Sequence, residues 1–331
     1  MLTLRPGSPT SAVLLVFHGT RDRDGMAEFY AFLEEVRKAW SPMLVQPAFL
    51  EFVEPSVLDA AALLAEQGVR EILVLPLFLV PASHLKTDVP AAIQVLRSRY
   101  PEVEFRYGRH LGITPLLTSI LDERLREAEL AGPPPDRART AVLLVGRGST
   151  DPDANSEVAK VARLFWEGRG LATVEIAFAG LTGPTLEDGL VRCVVLGCET
   201  LVVLPYFLFT GILVKRILHQ TAEFAGRAGA VDVRCGRHLG VHQNLTEALS
   251  VRLRELLEGP TNMNCDNCKH RVALPGFERD VSAPVHTDHH HGLRSRASEE
   301  AHAQGVEEGS SHQHGERTRY HHPDQVSESP V

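Results

Sequence analysis

Three residues whose types could hold and exchange a metal ion recur at one interval: His18, Glu51 and His84, with 51 − 18 = 84 − 51 = 33. Two neutral imidazoles and a carboxylate, with coordination positions left open, suit a first-row divalent ion such as Co²⁺, Fe²⁺, Ni²⁺ or Zn²⁺. Thiolates would hold such an ion too tightly to hand it on. The same side chains accept protons, His at an unperturbed pKa of about 6.5 and Glu at about 4.3. One set of residues can therefore carry a metal and remove the protons it displaces. Protonated imidazoles do not bind metal, so activity is expected to weaken below about pH 6.

The elements that must position these residues are short apolar runs alternating with amphipathic stretches. Strands are predicted over residues 12–17, 45–50, 71–79 and 103–107, each rich in Val, Leu, Ile and Phe. Helices are predicted over about 26–39, 56–66, 86–98 and 114–129, where charged and apolar residues alternate at helical spacing. Strict alternation of the two implies an α/β fold with a parallel sheet covered on both faces. Ligands of such sheets bind beyond the carboxyl ends of the strands. His18 follows the first strand, Glu51 the second, and His84 ends the Pro81-Ala-Ser-His84 segment after the third. Equal spacing is what one position in successive βα units would give.

The pattern stops at Ala131-Gly-Pro-Pro-Pro-Asp-Arg137, whose three prolines cannot continue a helix, and then starts again. Leu14-Leu-Val-Phe-His-Gly-Thr-Arg-Asp22 aligns with Leu143-Leu-Val-Gly-Arg-Gly-Ser-Thr-Asp151, an offset of 143 − 14 = 129. Val74-Leu-Pro-Leu-Phe-Leu79 and Val203-Leu-Pro-Tyr-Phe-Leu208 share that offset, and Gly108-Arg-His-Leu-Gly112 recurs at Gly236 with 236 − 108 = 128. Two copies of one α/β unit facing across a pseudo-two-fold axis are expected. The predicted organisation is a site-bearing domain over 1–130, a Pro-rich linker over 131–139 and a second domain over 140–258. In that second copy His18, Glu51, Glu54 and His84 become Arg147, Gly180, Gly183 and Leu213, while Pro55 and Lys86 persist as Pro184 and Lys215. Joint loss of the candidate ligands on a retained scaffold marks a site needed once. His110 and His238 occur in both copies and are read as structural, and Asp22 and Asp151 as helix caps. Glu54 could be a further ligand, an outer base or part of a helix start.

At 331 residues, 44% hydrophobic and 23% charged, the chain can bury sizeable cores, and its net charge of −8 leaves no basic footprint for nucleic acid. No apolar run reaches the roughly 20 residues of a membrane span, and the N-terminus lacks a signal-peptide pattern. Five cysteines, an odd number, point to reduced thiols and a cytoplasmic location. Residues 259–331 hold ten of the sixteen histidines and two aromatics, Phe277 and Tyr320, which predicts a disordered tail.

Phe17-His-Gly-Thr-Arg-Asp22, Phe49-Leu-Glu-Phe-Val-Glu-Pro-Ser56 and Val74-Leu-Pro-Leu-Phe-Leu-Val-Pro-Ala-Ser-His84 together resemble the signature of the sirohydrochlorin chelatases, class II enzymes that insert cobalt or iron. The resemblance spans roughly residues 12–257. It implies two tandem chelatase-like domains, each a parallel sheet of about four strands flanked by helices, with the macrocycle in the cleft between them. It also implies that His18, Glu51 and His84 bind the metal and take part in proton removal. The expected function is lyase-class insertion of a divalent metal, Co²⁺ foremost, into sirohydrochlorin for cobalamin biosynthesis. Iron insertion for sirohaem is the alternative reaction, and a non-catalytic metal store or metallochaperone is the alternative class. Lys86, Arg147 and Lys215 are candidates to pair with the ring carboxylates.

The long cobalt-inserting members carry a Met-x-Cys-x-x-Cys motif associated with an iron–sulfur cluster, followed by a His-rich tail. Met263-Asn-Cys-Asp-Asn-Cys268 matches, and Asp288-His-His-His291, Ser311-His-Gln-His314 and Tyr320-His-His322 follow. Cys265 and Cys268 supply two of the four thiolates a cluster usually wants, so a second chain or other ligands must join. A zinc site with His270 and a redox dithiol are the other chemistries open to the pair. The histidines suit a reservoir that collects metal. The chain is expected to act as a monomer through its duplicated domains or as a homodimer through the tail.

Overall fold

A computed structural model describes residues 11–259 of the chain. The first repeat runs β1 (Ser11–Phe17), α1 (Arg23–Trp40), β2 (Leu44–Phe49), α2 (Val57–Glu66), β3 (Glu71–Pro76), α3 (Ser83–Lys86), α4 (Asp88–Arg99), β4 (Glu104–Tyr107) and α5 (Pro115–Glu129). The second runs β5 (Thr140–Gly146), α6 (Pro152–Trp166), β6 (Thr173–Phe178), α7 (Leu186–Val195), β7 (Thr200–Pro205), α8 (Ile212–Ala225), β8 (Asp232–Cys235) and α9 (Gln243–Glu258). Each repeat forms a four-stranded, wholly parallel sheet, in the orders β2-β1-β3-β4 and β6-β5-β7-β8. The central strands β1 and β5 are covered on both faces, which is why Ala12–Val16 and Ala141–Val145 are apolar without alternation.

Apolar side chains gather in three cores. One lies under α2 and α4 in the first repeat, and one under α7 and α8 in the second. The largest is shared and contains residues of α1, α5, α6 and α9. The last helix of each repeat crosses over: α5 packs on β7 and β8, and α9 on β3 and α1. Trp40, fully buried on α1, donates through Nε1 to Ser250 Oγ of α9 at 2.8 Å, fixing this exchange with a satisfied indole.

Polar contacts between the repeats obey the same reciprocity. Lys86 donates to Asp151 (2.6 Å) and Asp153 (2.9 Å), and Lys215 to Asp22 and Asp24 (2.7 Å each), one set being the other shifted by 129 residues. Asp22 and Asp151 each cap the following helix through Oδ1 and receive the opposite lysine on Oδ2. Arg124 donates to the carbonyls of His238 (3.0 Å) and Leu239 (2.7 Å), and Arg252 to that of Leu111 (3.0 and 2.8 Å). Pairs in which i meets j and j meets i are the mark of a two-fold relation.

Two expected elements are corrected. The third strand ends at Pro76 rather than Leu79, and residues 77–80 are apolar because Leu77, Phe78, Leu79 and Val80 line a cavity. The helix expected from Lys86 is two helices, α3 and α4, broken at Thr87 (φ −125°, ψ −60°). Pro90 has no N–H for the Lys86 carbonyl and its ring crowds that carbonyl, whereas the second repeat has His219 there and keeps α8 continuous. Among the described residues no helix is long and apolar enough to cross a membrane. Cys265, Cys268 and the His-rich segments lie outside the described residues.

Candidate functional site

The carboxyl ends of both sheets open on one cavity of about 520 Å³, within the roughly 300–1,000 Å³ usual for small-molecule sites. His18, Glu51 and His84 all line it, and one ligating atom from each lies within 4.8 Å of the others. A first-row ion bonded at about 2.0–2.2 Å to each would hold them at most about 4.4 Å apart, so small side-chain rotations suffice to close the set.

The three residues arrive by different routes. His18 follows β1 directly, Glu51 stands two residues beyond β2, and His84 lies on α3, eight residues beyond β3. The equal spacing therefore does not reflect equivalent positions in successive units, contrary to the reading made from sequence. Glu51 is tied to His18 through the backbone, its N–H donating to the His18 carbonyl at 2.9 Å. Its own carbonyl accepts from Val53 N–H at 2.8 Å, closing a γ-turn on Phe52, whose φ is 66°. A left-handed backbone at an aromatic residue costs on the order of 1–3 kcal/mol, and the Arg21 guanidinium carbon, 4.5 Å from the ring centroid, covers its face. Gly19 (φ 87°) makes the approach possible, since a Cβ there would sit 2.0 Å from the Glu51 carbonyl oxygen.

His18 Nδ1 donates to the Gly19 carbonyl at 3.2 Å, which leaves Nε2 as the acceptor, buried and without a partner among the described residues. An orphaned buried imidazole nitrogen beside a carboxylate and a second imidazole is the donor set a divalent ion fits. Burial lowers the His18 pKa to about 3, helped by the charge of Arg147 and by His84. The weakening expected below about pH 6 therefore does not arise from His18, which stays neutral far below that point. The His84 ring lies edge-on to that of His18, with centroids 5.1 Å apart, and its Nε2 is 3.7 Å from Glu51 Oε1. Its Nδ1 meets Asp88 Oδ2 at 2.6 Å. Asp88, also in the cavity wall, was missed from the sequence; its signal is i, i+4 spacing from His84 and replacement by Ile217 at the 129-residue offset.

Of the three cations expected to meet ring carboxylates, Arg147 lines the cavity, whereas Lys86 and Lys215 are held in the ion pairs between the repeats. Glu54 accepts from Ser56 N–H at 3.1 Å at the start of α2. His238 meets Glu28 at 2.8 Å, and Glu28 also accepts from Thr210 N–H. In the other repeat Pro81 replaces Thr210 and offers no N–H; Glu157 pairs with Lys160 instead, and His110 Nδ1 is buried without a partner among the described residues. Burial, with the nearby Arg109 and Arg252 charges, lowers the His110 pKa to about 4.

The fold and the site define a duplicated parallel α/β protein in which one repeat carries a cluster of side chains able to ligate a metal and the other contributes a cation to the same cavity. The model of the CbiX family matches residues 12–128 and again 141–256, and the chain belongs to that family. It is 37% identical over 287 residues to a sirohydrochlorin cobaltochelatase of Priestia megaterium, covering 86% of this chain and 89% of the relative. It is 33% identical over 252 residues to a sirohydrochlorin ferrochelatase of the same organism, covering 76% and 92%. The crystal structure of the sirohydrochlorin chelatase SirB from Bacillus subtilis subspecies spizizenii in complex with cobalt superposes with a TM-score of 0.64 at 29% identity, covering 76% of this chain and 97% of that one.

Proposed function

We propose that this chain is a chelatase that inserts a divalent metal, Co²⁺ foremost, into sirohydrochlorin, a step of cobalamin biosynthesis. The observation that carries the reading is the convergence of His18, Glu51 and His84 at the wall of a cavity that Arg147 of the second repeat also lines. The metal is a substrate here. It rests on the three side chains and leaves with the macrocycle, so a borderline nitrogen and oxygen donor set serves better than thiolates would. Insertion releases two pyrrole protons for each metal bound. His18, neutral down to about pH 3, acts as a ligand and a poor base; Glu51 and His84 accept the protons. Arg147 pairs with a carboxylate on the ring edge and sets the ring's orientation.

Iron insertion is the second reading, favoured by the 33% identity to a ferrochelatase over most of the chain. The ligand set does not discriminate between the two metals, because affinity order follows the ion more than the protein. Purified protein supplied with sirohydrochlorin and with Co²⁺, Fe²⁺ or Ni²⁺ separately, followed by the ring's absorbance, tests both. Fastest turnover with Co²⁺ is expected; turnover with none of the three would contradict a chelatase.

A further inference from the structure

We propose that Asp88 is a positioning residue for His84: it fixes the imidazole as the Nδ1–H tautomer and so turns the Nε2 lone pair toward the metal, an inference that rests on the metal-site reading above. His84 Nδ1 lies 2.6 Å from Asp88 Oδ2. A carboxylate only accepts, so Nδ1 carries the proton and Nε2 carries the lone pair. That Nε2 is the atom near Glu51, 3.7 Å from Oε1. Thr87 Oγ1 lies 2.7 Å from the Ser83 carbonyl oxygen and 2.9 Å from Asp88 Oδ1, two acceptors that share its one proton. Thr87 is also where α3 breaks from α4, so the break and the bond place the imidazole together.

The second repeat supplies the contrast. At the offset of 129, His84 becomes Leu213 and Asp88 becomes Ile217, which is fully buried in that repeat's own core. The first repeat keeps a carboxylate in the cavity wall where its twin keeps a core aliphatic. A carboxylate behind a ligating histidine strengthens the ligand and restricts its ring, and removing such a partner weakens metal binding by about 10–100-fold. The rival explanation is an acidic residue favouring the N-terminus of α4 through the helix dipole, an effect of about 0.3–1 kcal/mol on stability with no bearing on metal.

The test is a Co²⁺ titration, read by the metal's visible absorption, on the wild type, Asp88→Ala, Asp88→Asn, His84→Ala and the His84→Ala/Asp88→Ala pair, each as the full chain and as a chain shortened after Gly259 so that Co²⁺ held by the His-rich segment is told apart, with circular dichroism confirming each fold. Asn keeps an acceptor for Nδ1–H without the charge. Asp88→Ala is expected to raise the Kd for Co²⁺ about tenfold or more, Asp88→Asn to restore most of the affinity, and sirohydrochlorin KM to stay unchanged in both. Once His84 is gone, removing Asp88 should cost nothing further. Wild-type affinity in Asp88→Ala, or an equal loss with and without His84, overturns the proposal. If His84→Ala itself leaves Co²⁺ binding intact, the metal-site reading fails first and takes this inference with it.

Discussion

Arg147 stands in the second repeat where His18 stands in the first, and the two side chains line the same cavity. Duplication thus gave one cleft two versions of a single position, an imidazole from one repeat and a permanent cation from the other. After burial, the Arg147 charge is the strongest influence keeping His18 neutral. The cation therefore favours a neutral imidazole, and under the proposed function it would also meet a carboxylate of the ring.

Replacing Arg147 by Ala should raise sirohydrochlorin KM about tenfold or more, the loss of one charge-assisted hydrogen bond worth about 1.5–3 kcal/mol. The same variant should move the His18 pKa up from about 3 toward 6.5, read by NMR titration of the imidazole. An unchanged KM would remove Arg147 from substrate binding.

Gly19→Ala should be far more damaging than Gly148→Ala, although both glycines have positive φ, 87° and 83°. At Gly19 the new Cβ meets the Glu51 carbonyl oxygen at 2.0 Å, whereas at Gly148 the nearest atom is the Phe178 Cβ at 3.0 Å. A cost of about 3 kcal/mol or more, with displaced Glu51 and lost metal affinity, is expected for the first, and about 1–2 kcal/mol for the second. Urea unfolding of the two variants checks the order.

The reciprocal lysines should not be equal in energy. Lys86 is 19% exposed between two aspartates and Lys215 is 47% exposed. Lys86→Ala is expected to cost about 1–3 kcal/mol by leaving Asp151 and Asp153 without their cation, and Lys215→Ala less, because Lys215 is itself half-exposed and Asp24 is 72% exposed, with only Asp22 left buried. Thermal unfolding of each single variant reads the difference.

Acid should destabilise the chain earlier than carboxylate titration alone would. The folded-state pKa values of His18 and His110 are lowered to about 3 and about 4 from 6.5, so between those values and 6.5 the unfolded chain binds more protons. Stability then falls as pH drops below about 6.5, by up to about 1.4 kcal/mol per pH unit for each group, and the contribution levels off below about 4 for His110 and 3 for His18. His110→Gln should flatten part of this slope between pH 6.5 and 4, measured by urea unfolding across that range.

Much of this arrangement was legible in the residues because the repeat exposed it. The 129-residue offset separated positions kept for folding, such as Asp22 and Asp151, from positions kept once, such as His18 and Glu51. Helix caps were readable because a short acceptor before an amphipathic run has one local use. Residues 77–79 were read as strand because apolar side chains lining a cavity look the same in sequence as those facing a core. The ion pairs of the lysines were not legible because a charge seen without its fold has no partner, and theirs lie 65 and 193 residues away. The crossing of α5 and α9 was invisible for a related reason: an amphipathic face records that it is buried and says nothing of which sheet buries it.

The most direct test of the central claim is equilibrium binding of Co²⁺ to the protein without macrocycle, by calorimetry, in the wild type and in His18→Ala. Among the described residues His18 Nε2 is buried without a partner, so the proposed ligand role is what its removal tests, with circular dichroism confirming the fold of the variant. One ion per chain outside the His-rich tail is expected for the wild type, tested in a chain shortened after Gly259, with affinity falling at least tenfold in the variant. Equal affinity in the two proteins would contradict the account.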